Sequence, residues 1–143
     1  MVKLGALSAT PSVDCLMVTL PVPERLPLAK RSIDDFCRQT HERKRLLLIL
    51  NGGEDAVQEA LRDHVAALGR SDIKVVTPPG VLNISELRNV SLDESDADLV
   101  CQWDDDDLYH PRRVEAQAAH LTENGCEAVY LQDVMQYFPS AGT

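Results

Sequence analysis

The chain has 143 residues, 44% of them hydrophobic, which is enough for one domain with a core of its own and too few for two of ordinary size. Its net charge of -9 and pI near 4.8 exclude a nucleic-acid backbone or an anionic membrane surface as the main partner, because both require basic patches. Cys15, Cys37, Cys101 and Cys126 form no CxxC pair, so buried reduced thiols are expected rather than a zinc site or a redox motif.

Met1-Val-Lys-Leu-Gly5 lacks the continuous apolar core of a secretory leader, and the longest aliphatic run, Leu46 to Leu50, is far too short to cross a bilayer. A cytoplasmic protein is expected, with peripheral membrane attachment left open for a longer parent. Residues 13 to 20 read as a buried strand stopped by Pro21 and Pro23. Ala29, Ile33, Phe36 and Cys37 then recur at helical spacing. Arg45 to Asn51 is a second strand, apolar on both faces as parallel strands under helices tend to be, with a turn at Asn51-Gly-Gly53.

Val57, Ala60, Leu61, His64, Val65 and Leu68 form the stripe of a second helix ended by Gly69. Residues 72 to 77 make a third strand. A third helix starts near Asn83, where Asn83 and Glu86 have capping-box spacing. The fourth strand spans Asp98 to Trp103, and Pro111 fits the first position of a fourth helix that Asn124-Gly125 ends. Ala128 to Gln132 reads as a fifth strand, and Gln136 to Pro139 begins a further segment. This alternation predicts a single α/β domain, a three-layer α/β/α sandwich around a mostly parallel sheet.

Ligands of such sheets bind beyond the carboxyl ends of the strands. Candidate polar groups gather there: residues 19 to 25, 51 to 55, and the run Asp104-Asp-Asp-Asp107. Adjacent carboxylates repel one another unless a cation or hydrogen bonds stabilise the ionised forms, so the run is a candidate site for a hard divalent cation. An acidic run in an arbitrary chain is more often a solvated surface, but this one follows a strand and precedes Leu108-Tyr-His-Pro111. Asp107 is also placed to cap the following turn or helix, and His110 to act where that helix begins. Trp103 is expected in the core, His64 as a satisfied interior histidine, and Arg88 has Glu94 as an alternative partner.

Leu16 to Arg25, Leu28 to Thr40, Leu47 to Asp55, Glu86-Leu-Arg-Asn89 and Trp103 to Pro111 together resemble the family 2 glycosyltransferases. The resemblance implies the Rossmann-like donor half of a GT-A fold, and a nucleoside-diphosphate sugar as donor. By the same resemblance Asp104 and Asp106 are the carboxylates of a DxD motif, with Asp106 a ligand of Mn²⁺ or Mg²⁺ and Asp104 nearer the ribose. Asp105 is a further candidate, because a run of four leaves the register open by one. Pro21, Arg25, Asn51, Asp55 and Arg88 fall at donor-contacting positions. Leu50 and Asn51 depart from the pair of aspartates usual there.

The family continues into an acceptor-binding half, so the expectation is a chain truncated before that half, with its general base outside. Transfer with inversion to a saccharide, lipid or protein acceptor is implied for the parent. Loss of the acceptor half would also uncover apolar surface and favour self-association. The alternative from another class is a non-catalytic module that binds a nucleotide, a divalent metal or a partner.

Overall fold

A computed structural model describes residues 2–3, 10–133 and 135; the expected segment 136–139 lies outside them. The elements are β1 (Val2–Lys3), β2 (Val13–Thr19), α1 (Leu26–Cys37), β3 (Lys44–Leu50), α2 (Asp55–Leu68), β4 (Ile73–Val76), α3 (Ile84–Asp93), β5 (Leu99–Gln102) and α4 (Arg113–Asn124). The sheet order is β1-β5-β2-β3-β4. β2 to β5 are parallel, with Cys15 opposite both Leu46 and Cys101, and only β1 runs antiparallel, on β5.

Strand periodicity divides the side chains between two layers. Val13, Cys15 and Met17 of β2 join Leu46, Leu48 and Leu50 of β3 in one cluster with Ala29, Ile33 and Phe36 of α1, Val57 and Leu61 of α2, and Val114, Ala118 and Leu121 of α4. Leu47, Ile49 and Val100 are buried but stand outside that cluster. They face the other side of the sheet, where α3 packs on β2 and β3. Residues 46 to 50 are therefore all buried, which explains why that strand reads as a continuous apolar run. None of the helices among the described residues is long and apolar enough to cross a membrane, and the four cysteines are free thiols.

Local chemistry sets the helix limits. The Asn83 carboxamide accepts from the Ser85 and Glu86 amides at 3.0 Å each, and Glu86 accepts from the Asn83 amide at 2.8 Å, completing the expected capping box. α2 stops at Gly69, which takes a left-handed conformation (φ 60°). His41 and His64 are structural, as the Nε2 of His41 meets the Pro11 carbonyl at 2.8 Å and that of His64 meets Asp34 at 2.9 Å. Glu94 pairs with Lys74 rather than with Arg88, which is exposed on α3.

Two expectations need correction. Ala128 to Gln132 forms no strand beyond a single bridge at Ala128. Val129 alone of the run packs against the core, while Tyr130 is 84% and Leu131 54% exposed, so the run buries too little apolar surface to be held as a strand. Pro111 is not the first helical residue either, since it lies with Arg112 in a turn ahead of α4.

The turn after β3 is held by close approach to the loop after β2. The Glu54 amide donates to the Pro21 carbonyl at 2.7 Å. Gly53 (φ 68°) lies so near that a β-carbon there would collide with the Pro21 carbonyl. Gly53→Ala is expected to lower stability by about 2–4 kcal/mol through combined strain and collision. Gly69→Ala, which meets open space, should cost about 1 kcal/mol. Urea denaturation of both variants checks the ordering.

Candidate functional site

The strand order reverses at β2: the chain steps outward through β3 and β4, then returns to place β5 on the other flank of β2. The loops after β2 and β5 lie side by side at the carboxyl end of the sheet and lead into α1 and α4 in the same layer, at the end where a parallel sheet binds its ligands. The acidic run lies on one of these loops and Arg25 on the other.

Beyond β5 the strand's two-residue alternation persists. Cys101, Trp103 and Asp105 are buried, Gln102 and Asp106 are exposed, and Asp104 is intermediate. Trp103 inserts into the core, edge-on to Phe36 with ring centroids 6.2 Å apart, and its indole N–H donates to the Ser32 carbonyl at 3.2 Å. Asp105 follows it inward; its side chain is 3% exposed. There it accepts from the Thr19 hydroxyl and from both Nε (3.0 Å) and Nη2 of Arg25.

Arg25 also reaches the Asp106 carboxylate at 3.3 Å. These bonds, that to Asp105 foremost, raise the guanidinium above its already high ordinary pKa, so it is a permanent cation here. Asp106 keeps half its side chain in solvent. The Asp104 carboxylate accepts from the Gln102 side chain, at 3.0 and 3.2 Å.

The backbone of the acidic loop is fastened by side chains of α1 and the residues just past it. Ser32 Oγ donates to the Asp104 carbonyl at 2.8 Å and Arg31 Nη2 to the Asp106 carbonyl at 3.0 Å. Asp35, itself buried, accepts from the Tyr109 amide at 3.1 Å. Gln39 donates to the His110 carbonyl at 2.9 Å and accepts from the Val114 amide at 3.1 Å. Gln39 thus satisfies one free amide in the first turn of α4, and His110 Nδ1, accepting from the Arg112 amide at 3.2 Å, satisfies another just ahead of it.

Tyr109 closes the loop from inside. Its hydroxyl accepts from the Asp104 amide at 2.7 Å and lies 3.4 Å from Asp107. Its ring stacks on Trp103 at 3.9 Å and under the Arg113 guanidinium at 4.3 Å. Burial pushes its hydroxyl pKa well up, so it remains a neutral donor and acceptor. Asp107 serves this hydroxyl rather than a helix cap.

The other candidates divide into two groups. Asn51 is buried and its carboxamide is engaged, donating to the Pro78 and Gly80 carbonyls at 3.2 and 2.8 Å and accepting from the Leu82 amide at 2.9 Å. It holds the loop that leads into α3. Pro21 is buried and offers its carbonyl to the turn after β3. Asp55, the first residue of α2, and Arg88, one turn into α3, are exposed.

Ser32, Asp35 and Gln39 were not singled out by the sequence, although a signal existed. Ser32, Asp35 and Gln39 interrupt the apolar face of α1 at helical spacing, and polar groups on a buried stripe need partners. A cavity of about 470 Å³ opens at the opposite end of the strands among Ser12, Asp14, Arg45 and Asp96. Arg45 is already paired there with Asp14 and Asp96.

No group of three metal-ligating side chains assembles among the described residues. Mg²⁺ in nucleotide sites uses one or two carboxylates, with phosphates and water completing the shell. Asp106 and Asp104, which point away from the core, fit that requirement, whereas Asp105 is taken up by Arg25 and Thr19.

Arg25→Ala leaves the Asp105 carboxylate buried without its fork of donors. With Arg25 itself 37% exposed, the loss expected is about 1–3 kcal/mol rather than the full penalty of a wholly buried pair. The double variant Arg25→Met/Asp105→Leu should lose less than Arg25→Ala, because no orphaned charge remains; denaturant titration of both decides it.

Comparison with solved structures finds the same fold in glycosyltransferases. The mannosyltransferase PcManGT from Pyrobaculum calidifontis, in complex with GDP-Man and Mn²⁺, aligns with a TM-score of 0.66 at 17% identity over 76% of this chain and 31% of its own. TarS of S. aureus, in a structure of residues 1–349, aligns with a TM-score of 0.67 at 14% identity over 80% of this chain and 33% of its own. The chain thus shares their fold and spans about a third of their length. No curated protein matches it by sequence. The sequence pattern of "Glycosyl transferase family 2" is matched over residues 18–138, most of the chain; the chain belongs to that family.

Proposed function

We propose that this domain binds a nucleoside-diphosphate sugar together with Mn²⁺ or Mg²⁺ and acts as the donor half of a glycosyltransferase that inverts the anomeric centre. The observation that carries the reading is the phase of the acidic loop: Asp105 turned inward onto Arg25 and Thr19, with Asp104 and Asp106 turned outward at the strand-order reversal. The PcManGT complex, whose ligands are GDP-Man and Mn²⁺, supports the same class of ligand.

In this reading Asp106 and Asp104 hold the cation against the donor diphosphate. A divalent ion so held neutralises charge that grows on the diphosphate as the sugar bond breaks, an effect worth several kcal/mol. Arg25 fixes the carboxylates beside it. Asn51 acts through the loop it holds, while Asp55 and Arg88 are free to meet the nucleoside or diphosphate. Acceptor activation falls to groups outside these residues, and the acceptor's class, whether saccharide, lipid or protein, follows from that missing side.

Titration calorimetry with nucleoside diphosphates and Mn²⁺ tests the site. Asp106→Ala is expected to weaken binding at least about tenfold, and Lys74→Ala, on the far ion pair with Glu94, to leave it unchanged. The assignment fails if no nucleoside diphosphate binds, or if Asp106→Ala binds like the parent chain. Product analysis of the longer parent enzyme should give an inverted anomeric configuration; retention would remove that part of the reading.

A further inference from the structure

The outward carboxylates do not by themselves account for the buried polar side chains that α1 directs at the loop carrying them. Asp35 is the costliest of these, since a buried carboxylate requires compensation. Its Oδ2 accepts from the Tyr109 amide at 3.1 Å and its Oδ1 meets the exposed Arg38. Tyr109 in turn holds the Asp104 amide through its hydroxyl at 2.7 Å. Two hydrogen bonds, linked through Tyr109, thus join α1 to the backbone of the first residue of the run.

We infer that Asp35 is a positioning residue, which acts through Tyr109 to hold the acidic loop in the conformation that presents Asp104 and Asp106 to a metal-bound diphosphate. The inference rests on the proposed donor site and adds a residue to it. Asp35 sits on the opposite side of the loop from the outward carboxylates and donates nothing to a ligand. Its effect is preorganisation: with the Tyr109 amide free, Asp104 samples orientations that must be given up again on binding. Partners behind metal ligands commonly carry tenfold to hundredfold effects on affinity of about this origin.

The amide of Tyr109 is what Asp35 must satisfy, so an uncharged acceptor of the same shape should suffice. Asp35→Ala is expected to raise the Kd for an Mn²⁺–nucleoside diphosphate complex about tenfold, and to speed amide hydrogen exchange at Tyr109 in the free protein. Asp35→Asn, which keeps an acceptor oxygen, should restore both to within about twofold of the parent. Arg38→Ala should leave both unchanged. Leu61→Ala, which lowers stability from a buried position on α2, controls for a general loss of folding free energy and should leave the Kd in place.

Binding by the parent chain with an unchanged Kd in Asp35→Ala, or equal losses in Asp35→Ala and Leu61→Ala, overturns the positioning role while sparing the donor site. Absence of binding by the parent chain overturns both.

Discussion

The contact on which the site depends is the grip of Arg25 and Thr19 on Asp105. It joins the end of β2, the start of α1 and the loop after β5 at the place where the strand order reverses. Its net contribution to stability is small, because stripping water from the Asp105 carboxylate offsets much of what two charge-assisted bonds return. Its contribution to geometry is larger. A guanidinium presents two parallel donors to one carboxylate and fixes its plane, which a lysine could not do.

The second constraint comes from α1, whose position is set by apolar packing and whose polar side chains then reach the loop. Ile33 and Phe36 lock the helix onto β2 and β3, while Ser32, Asp35 and Gln39, interleaved with them, meet the Asp104 carbonyl, the Tyr109 amide and the amide that opens the inner face of α4. The loop is thus held by a rigid element rather than by its own sequence, whose adjacent carboxylates would otherwise drive it apart. Trp103, edge-on to Phe36 and in tilted contact with Tyr109, couples the two systems, since its ring fills the core and its N–H is bonded to Ser32.

The α/β alternation, the end of α2 at Gly69 and the capping box on α3 were legible because each follows from local chemistry: apolar period, glycine in the left-handed region, an Asn-x-x-Glu pair. β1 was not legible, since Val2–Lys3 is too short to show a period and exists only by pairing on β5. The run 128–132 read as a strand because it is apolar, yet it buries little of that surface, with Tyr130 and Leu131 exposed. Within the site, the acidic run could be placed but its phase could not be chosen from carboxylates alone. The phase was present one step upstream, since Cys101 and Trp103 mark the inward positions and Asp105 is next in that series. Asp35 and Gln39 differ again: their place on a buried stripe shows that they need partners, but those partners are main-chain atoms about seventy residues away, which no side-chain pattern identifies.

The same phase bears on how a ligand would have to arrive. Arg25 spends its charge on Asp105 and Asp106, while Asp104 and Asp107 have no cationic partner among the described residues. Around an outward face of this sign a nucleoside diphosphate by itself is repelled, and a divalent cation by itself finds too few ligands to shed its water. Each supplies what the other lacks: the phosphates complete the coordination shell and the cation cancels the repulsion. On the proposed reading, binding of metal and diphosphate is therefore one coupled event, with the affinity of each set by the concentration of the other. On that reading a chain of net charge -9 would take up the complex more readily than either component alone.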